Sequence, residues 1–187
     1  MSRVRSLLNL VLPLILVVCG HAAPPATGEK AQDFRLSTLE GKTVRLSDLT
    51  PRSSVVLVVL RGYPGYQCPY CNRQVQDFLQ KAPDFAASGA HVVMVYPGPR
   101  QDLGIRATEF LNGKTLPANF DLLLDPDYEF TNRYGLRWDS PNETAYPSTF
   151  VLDRSGMIFF TKIVKAHGGR TSAQEILDVL PKPKSNQ

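Results

Sequence analysis

The sequence is poor in cysteine, and this scarcity narrows the classes of protein to which it can belong. Only 3 of its 187 residues are cysteines, too few for the disulfide framework of a small secreted scaffold. Charged residues make up 20% and hydrophobic residues 43% of the chain, which excludes a collagen-like or largely disordered protein. A length of 187 residues instead predicts one globular domain with a substantial core.

The sequence also lacks any run of more than two lysine or arginine residues. Its formal net charge is +4, but 21 basic residues less Arg3 and Arg5 leave 19 against 17 acidic ones, a net charge of +2. Neither feature is typical of a surface that binds nucleic acid or anionic membranes. G-x-S-x-G and Walker motifs are absent as well, so hydrolase and nucleotide-binding functions have no support.

Residues 1–22 have the pattern of a secretory signal peptide. Arg3 and Arg5 precede an apolar stretch from Leu7 to Val18, and small residues follow up to Ala22. The stretch is about 12 residues long, short of the roughly 20 that a spanning helix needs. We expect cleavage after Ala22 and export to the periplasm or the cell exterior, with no spanning segment in the processed protein. An uncleaved anchor, or a lipid anchor at Cys19, is the alternative.

The rest of the chain is predicted to hold one domain, residues 30–182, between a Pro-rich spacer at 23–29 and a tail at 183–187. Its predicted elements follow the order β–α–β–α–β–α–β–β–α, which indicates an α/β fold with a central mixed sheet flanked by helices. No internal repeat or low-complexity segment interrupts this order.

Four segments carry most of this prediction. The Val-rich run Val55–Leu60 predicts a strand that is buried on both faces. A helix is predicted from Pro69 to about Ala82, ended or kinked by Pro83. His91–Tyr96 predicts the second strand of a βαβ unit, and Asp125-Pro126 is predicted to begin a helix that runs to Tyr134. Further along, an antiparallel hairpin and a final helix capped by Thr171 or Ser172 are expected.

Two cysteines with C-x-x-C spacing lie where the buried strand leads into the first long helix. Cys68 stands at or just before the start of the helix, where unpaired N–H groups and the helix dipole stabilise a thiolate. Cys71 lies one turn later, near enough to form a small ring with Cys68. Pro69 suits the first helical turn and stiffens the approach of the two sulfurs. This pattern favours redox chemistry at a dithiol.

Two other interpretations of the pair remain open. A permanent structural disulfide would close too short a loop to stabilise the fold much. A zinc site needs about four ligands, and after processing only Cys68, Cys71, His91 and His167 are available, without a second C-x-x-C. We therefore expect no metal and no other cofactor.

Three segments, in order, resemble a known family over about 150 residues. They are Gly41–Leu49, Pro64–Cys71 and Tyr146–Asp153, the last followed by Gly156. Together they are similar to thioredoxin-fold redoxins of the alkyl hydroperoxide reductase/thiol-specific antioxidant (AhpC/TSA) family, with a Cys-Pro-Tyr-Cys dithiol like that of glutaredoxins. The resemblance implies a thioredoxin-like three-layer sandwich and a thiol-dependent oxidoreductase.

The same resemblance implies two chemistries. Peroxiredoxins carry Pro-x-x-x-Thr/Ser-x-x-Cys, and on this chain Pro64 matches the proline, Cys68 takes the Thr/Ser place and Cys71 matches the peroxidatic cysteine. Thioredoxin-like proteins use the first cysteine as nucleophile, here Cys68, with Cys71 resolving. Many peroxiredoxins also place a supporting arginine where this chain has Pro147, whereas thioredoxins have a cis-proline there that shapes the substrate groove.

For other residues close to the C-x-x-C motif, the expected roles follow from their position in the sequence. Arg61 is the nearest fixed charge to the cysteines in sequence, and it is either a group that stabilises a thiolate or a solvated loop arginine. Tyr70, with Tyr63 and Tyr66, either lines a groove for a substrate protein or covers the loop. Trp138 is interpreted as a core residue, and the turn 167–170 as structural because no partner nucleophile is apparent.

We therefore expect an exported oxidoreductase that cycles Cys68 and Cys71 between dithiol and disulfide, exchanging with thiol or disulfide proteins. The alternatives are a peroxide reductase with Cys71 as peroxidatic cysteine, supplied by an external thiol reductant, and a redox-inert binding module.

Overall fold

The computed structural model describes residues 22–182. The predicted tail at 183–187, the signal segment up to residue 21 and the lipid-anchor position Cys19 lie outside the described residues. Within residues 22–182, no helix combines the length and apolar character that crossing a membrane requires.

The described residues form one seven-stranded mixed sheet. In chain order its strands are β1 (Arg35–Thr38), β2 (Thr43–Arg45), β3 (Ser54–Val59), β4 (Ala90–Gly98), β5 (Phe120–Pro126), β6 (Ser148–Leu152) and β7 (Ile158–Ile163). The spatial order is β2-β1-β5-β4-β3-β6-β7. The three central strands β3, β4 and β5 are parallel, and the remaining pairs are antiparallel.

Six helices accompany the sheet over the same residues. They are α1 (Leu46–Leu49), α2 (Pro69–Gln80), α3 (Ala82–Ala87), α4 (Leu103–Leu111), α5 (Glu129–Arg133) and α6 (Ala173–Val179). Side chains of α2, α3, α4 and α6 join one hydrophobic core, and α5 joins a second. The predicted thioredoxin-like three-layer sandwich is confirmed.

Strand β3 explains why there are two cores. Its six residues are all buried, because successive side chains point to opposite faces and both faces are covered. Val56 and Val58 lie in the core under α2, whereas Leu57 and Val59 lie in the core under α5. The predicted strand buried on both faces is therefore confirmed.

The sheet topology determines where the dithiol lies. Strand β3 runs parallel to β4, and α2 is the crossover between them, so the loop after β3 leaves the carboxyl end of the parallel strands. At the same end Val59 pairs with Ser148, the first residue of the antiparallel strand β6. The segment before β6 is consequently brought next to the loop that leads to the cysteines.

Two predicted helix boundaries differ from the structure. Helix α2 ends at Gln80, and a separate helix begins at Ala82 with Pro83 in its first turn, where a missing N–H costs nothing. The helix predicted to start at Asp125-Pro126 is wrong at its start, because β5 continues through Pro126 and α5 begins only at Glu129. The buried carboxylate of Asp125 still accepts hydrogen bonds from the N–H groups that open α5.

Candidate active site

The two cysteines occupy the start of α2 as the sequence predicts. Cys68 is the N-cap residue, with extended backbone angles, and Pro69 is the first helical residue. Cys71 follows in the first turn, and both cysteines are free. Both cysteines are buried, Cys68 with 1% and Cys71 with 0% exposure.

Arg61 lies two residues after the end of β3 and is buried near Cys68. Its side chain is held by an ion pair with Glu143, by the hydroxyl of Tyr66 at 2.7 Å and by the backbone carbonyl of Asn142 at 2.6 Å. Burial works against the charged form, but hydrogen bonds with Glu143, Tyr66 and Cys68 outweigh it and raise the pKa of Arg61. A permanent positive charge is therefore fixed at the dithiol, as the sequence suggested.

A second guanidinium approaches the sulfurs from the loop between β7 and α6. Arg170 Nη1 lies 3.3 Å from the Cys71 sulfur, and Nη2 lies 3.7 Å from the Cys68 sulfur. The interpretation of the 167–170 turn as purely structural is therefore wrong. This arginine comes from a segment that lies about 100 residues beyond the cysteines in sequence, and not from the position that Pro147 occupies.

Buried polar side chains hold Arg170 in this position. Its Nη1 lies 3.5 Å from Oε1 of Gln74, a buried residue of α2, and its Nε donates to the carbonyl of His167 at 3.0 Å. Gln74 in turn donates to Thr171, whose hydroxyl contacts that of Thr149 at 2.7 Å. The network ties α2, β6 and the loop before α6 to one another around the dithiol.

The electrostatics of the two cysteines differ in direction. A hydrogen bond from the Cys71 thiol lowers the pKa of Cys68 against the effect of burial, and the charges and hydrogen bonds of Arg170 and Arg61 lower it further. Burial raises the pKa of Cys71 well above its ordinary value. The arrangement favours a thiolate at Cys68 and a thiol at Cys71.

Glu143 links the buried arginine to the surface. One carboxylate oxygen pairs with Arg61, and the other lies 2.8 Å from Nε2 of His167. Burial opposes its ionisation, but the hydrogen bonds from Arg61 and His167 lower the pKa of Glu143. Neither Glu143 nor His167 was identified as a partner of the dithiol from sequence, because both lie more than 70 residues beyond the motif.

Pro147 is buried immediately before β6, but it is not a cis-proline. Every peptide bond in the described part of the chain is trans. The cis conformation implied by the resemblance is therefore wrong here. The carbonyl of Pro147 accepts a hydrogen bond from Val164 at the end of β7, so the residue acts as a strand-entry proline in the β6–β7 pairing.

The other predicted support residues lie around the rim of the site. Pro64 is half-buried in the loop between Arg61 and Cys68. Tyr70 is 42% exposed and packs over the guanidinium of Arg73 at 4.6 Å. Trp138 is half-buried rather than a core residue: it stacks on Tyr146 with ring centroids 5.0 Å apart.

A shallow groove lies beside the dithiol. It has a volume of about 230 Å³, and its walls include Tyr70, Gln74, Gly168 and Arg170. His167 continues the same face, since its ring lies 6.3 Å from that of Tyr70 and 5.4 Å from that of Trp138. A substrate that lies in this groove would meet an aromatic and cationic surface.

Comparison with known proteins gives the chain's relatives. The AhpC/TSA family matches residues 27–160. Peroxiredoxin Bcp of Bacillus subtilis (strain 168) is 28% identical over 137 residues, covering 70% of this chain and 80% of that protein. Thiol-disulfide oxidoreductase ResA of Geobacillus thermodenitrificans is 28% identical over 134 residues, covering 71% and 67%. The crystal structure of peroxidoxin BcpB from Mycobacterium tuberculosis shares the fold, with a TM-score of 0.63 and 23% identity over 82% of this chain and 95% of that one.

Proposed function

The chain belongs to the AhpC/TSA family and is a thiol oxidoreductase, and from this premise we propose that it exchanges its Cys68–Cys71 pair with disulfides of exported proteins. One observation carries the proposal: Cys68 is the N-cap residue of α2, and the Arg170 guanidinium lies 3.7 Å from its sulfur and 3.3 Å from the sulfur of Cys71. A nucleophilic thiolate with an adjacent resolving thiol is what a dithiol exchange requires.

The reaction consists of two successive thiol–disulfide exchanges. The Cys68 thiolate attacks one sulfur of the substrate disulfide, whose S–S bond breaks and releases the first substrate thiolate. That thiolate takes up the proton which Cys71 loses, and the Cys71 sulfur then attacks Cys68 and releases the second substrate thiolate. The substrate gains two electrons and the Cys68–Cys71 pair loses two. The reverse sequence introduces a disulfide into a dithiol substrate.

Variants of each cysteine test the order of attack. In protein purified after expression of the full chain, Cys71→Ser is expected to accumulate a mixed disulfide with a disulfide-bonded protein such as insulin, whereas Cys68→Ser forms none. Mass spectrometry under non-reducing conditions identifies the adduct. A Cys68→Ser variant that consumes one equivalent of hydrogen peroxide, beside a Cys71→Ser variant that consumes none, would overturn the proposal in favour of a peroxidase that uses Cys71.

Peroxide reduction is the second candidate function, and the position of Arg170 favours it. Peroxiredoxins place an arginine where this chain has Pro147, and Arg170 brings a guanidinium to the sulfurs from another direction. In this reaction the Cys71 thiolate would attack a peroxide oxygen, forming a sulfenic acid at Cys71 and an alcohol or water. The Cys68 thiol would then condense with the sulfenic acid to give the disulfide and water, and two equivalents of an external thiol would reduce the disulfide.

The rates with hydrogen peroxide and with insulin, measured side by side, separate the two functions. If the function is exchange, the wild type reduces insulin and consumes little peroxide. Both cysteine variants then lose the reduction of insulin. If the wild type reacts with neither substrate and its disulfide has a potential below about −300 mV, the chain is a redox-inert binding module instead.

Export is part of the proposal, and residues 1–22 support it through their basic start and apolar core. Intact-mass analysis of the protein from the periplasm or medium is expected to find an N-terminus at Ala23. A diacylglyceryl group on an N-terminal Cys19 would support the lipid-anchored form. Retention of the full chain in the cytosol would contradict export.

A further inference from the structure

We infer that Arg170 is a catalytic residue for the second half of the dithiol cycle, the step in which the Cys71 sulfur displaces the substrate from Cys68. The inference rests on the proposed function, since it needs a mixed disulfide at Cys68. It goes beyond that function by assigning the two arginines to different steps of the cycle. Arg61 serves the first attack, whereas Arg170 serves both attacks and above all the second.

The contacts of the two guanidinium groups support this division. Arg170 reaches both sulfurs, and its shorter contact, 3.3 Å, is to Cys71. The Arg61 side chain donates to Glu143, to the hydroxyl of Tyr66 and to the carbonyl of Asn142, and it also helps to lower the pKa of Cys68. Arg170 is therefore placed to follow the negative charge as it moves from one sulfur to the other.

Cys71 needs such a partner at the second attack. Its side chain is buried and burial raises the pKa of its thiol, so water cannot solvate the charge that it must carry when it attacks. Its thiol donates to Cys68 in the reduced protein, and that acceptor disappears once Cys68 is bonded to a substrate. At this point the guanidinium of Arg170 can balance the charge that develops on the Cys71 sulfur.

The guanidinium group of Arg170 is held in place before the reaction begins. Gln74 at 3.5 Å and the carbonyl of His167 at 3.0 Å orient the guanidinium, and Thr171 anchors Gln74. Because these partners belong to the protein and not to the substrate, the group needs no rearrangement between the two attacks.

A chromogenic aryl disulfide, dithiobis(nitrobenzoate), separates the two steps. One equivalent, added to reduced protein in a stopped-flow instrument, releases one nitrothiobenzoate when Cys68 attacks and a second when Cys71 resolves the adduct. All variants carry Cys19→Ser, so that no third thiol contributes. In Arg170→Gln we expect the second release to slow about tenfold or more, because a charge-assisted hydrogen bond at the reacting sulfur is lost. The first release should slow less, because Arg61 remains.

Two further variants make the result specific. Arg154→Gln removes an exposed arginine of the turn between β6 and β7, and it is expected to leave both releases unchanged. Arg170→Lys keeps the positive charge but loses the planar guanidinium with its several donors. Its second release should therefore be faster than that of Arg170→Gln but slower than that of the wild type. Circular dichroism and thermal unfolding verify that each variant is folded.

Each outcome bears on one proposal. A second release that is unchanged in Arg170→Gln, or two releases that slow equally, overturns the role of Arg170 while the proposed dithiol exchange stands. A Cys68→Ser variant that still gives the first release overturns the proposed order of attack. A slowed second release with full thermal stability supports the inference.

Discussion

The guanidinium of Arg170 lies 3.3 Å from the sulfur of Cys71, although 99 residues separate them along the chain. Together with Arg61 it places two positive charges around a pair of buried thiols. Burial alone would keep both thiols protonated, because a low-dielectric environment disfavours their charged forms. The hydrogen bond from the Cys71 thiol and the two guanidinium groups together oppose this effect at Cys68 and favour its thiolate near neutral pH.

The first prediction concerns the pH dependence of Cys68. Because its pKa is lowered, the thiolate persists as the pH falls below the ordinary thiol value of about 8.5. In a Cys71→Ser background, which keeps a hydroxyl donor, iodoacetamide should alkylate Cys68 rapidly at neutral pH. The rate should decline only when the pH falls through the lowered pKa.

Removing Arg170 in the same background should move this profile to higher pH. At a pH between the lowered and the ordinary value, the alkylation rate is expected to fall, but by less than the second release does, because Arg61 and the hydroxyl at position 71 still stabilise the Cys68 thiolate. Rates measured by mass spectrometry across the pH range provide the check. If the alkylation rate of Cys68 depended on pH in the same way with and without Arg170, then Arg170 would not lower the pKa of Cys68.

The second prediction concerns the buried ion pair of Arg61 and Glu143. Glu143→Gln leaves the Arg61 charge without its counterion, at side chains that are 2% and 10% exposed. We expect the free energy of unfolding to fall by about 3 kcal/mol, the usual cost of breaking a buried pair by removing one partner. Urea denaturation measures it.

Glu109→Gln is the matched control for that experiment. Glu109 pairs with Arg106 at the surface, with side chains that are 46% and 34% exposed, so its loss should cost less than about 1 kcal/mol. Equal losses in the two variants would mean that Glu143 acts as an ordinary surface charge.

The third prediction concerns Tyr70, which lies on the rim of the groove and not against the sulfurs. Its ring packs on Arg73 and His167, and it is 42% exposed. Tyr70→Ala should leave the reaction with the small aryl disulfide unchanged but raise the KM for a folded disulfide-bonded protein, because only the larger substrate covers the groove. Tyr70→Phe, which keeps the ring, is the control. A slower reaction with the small reagent would place Tyr70 in the chemistry instead.

The sequence predicts much of the fold because the local patterns agree with the tertiary structure. The Val-rich run of β3, the helix that begins at Pro69 and the hairpin of β6 and β7 are all found. The start of α5 differs because Asp125 caps the helix from a strand end, across two residues with left-handed backbone angles. A capping residue usually stands directly before its helix, and this longer arrangement leaves no local signal.

Only part of the active site can be predicted from the sequence, because some of its residues are brought together by tertiary folding. Cys68, Cys71 and Arg61 lie within eleven residues of one another, so local spacing reveals them. Arg170 and Glu143 reach the same place only through the pairing of β3 with β6 and of β6 with β7. Their contacts depend on tertiary folding, and no local periodicity of a single sequence encodes such contacts.

The last prediction concerns the backbone that positions Arg61. Gly62 has a φ of +66°, and a Cβ at this position would lie 1.9 Å from the carbonyl oxygen of Pro97 on β4. The same backbone forms the hydrogen bond between Tyr63 N–H and that carbonyl. Gly62→Ala should therefore lower the free energy of unfolding by at least about 2 kcal/mol, since the left-handed conformation alone costs 1–2 kcal/mol. It should also displace Arg61 and slow alkylation of Cys68 at neutral pH.

Gly104→Ala is the control for this substitution. Gly104 lies in α4, and a Cβ there meets nothing within 4 Å. Alanine is favoured over glycine in a helix, so this variant should be as stable as the wild type or more stable by about 0.5–1 kcal/mol. Urea denaturation and the alkylation rate are measured on both variants. If Gly62→Ala matched Gly104→Ala in both, the close approach to Pro97 would have no part in holding Arg61 beside the dithiol.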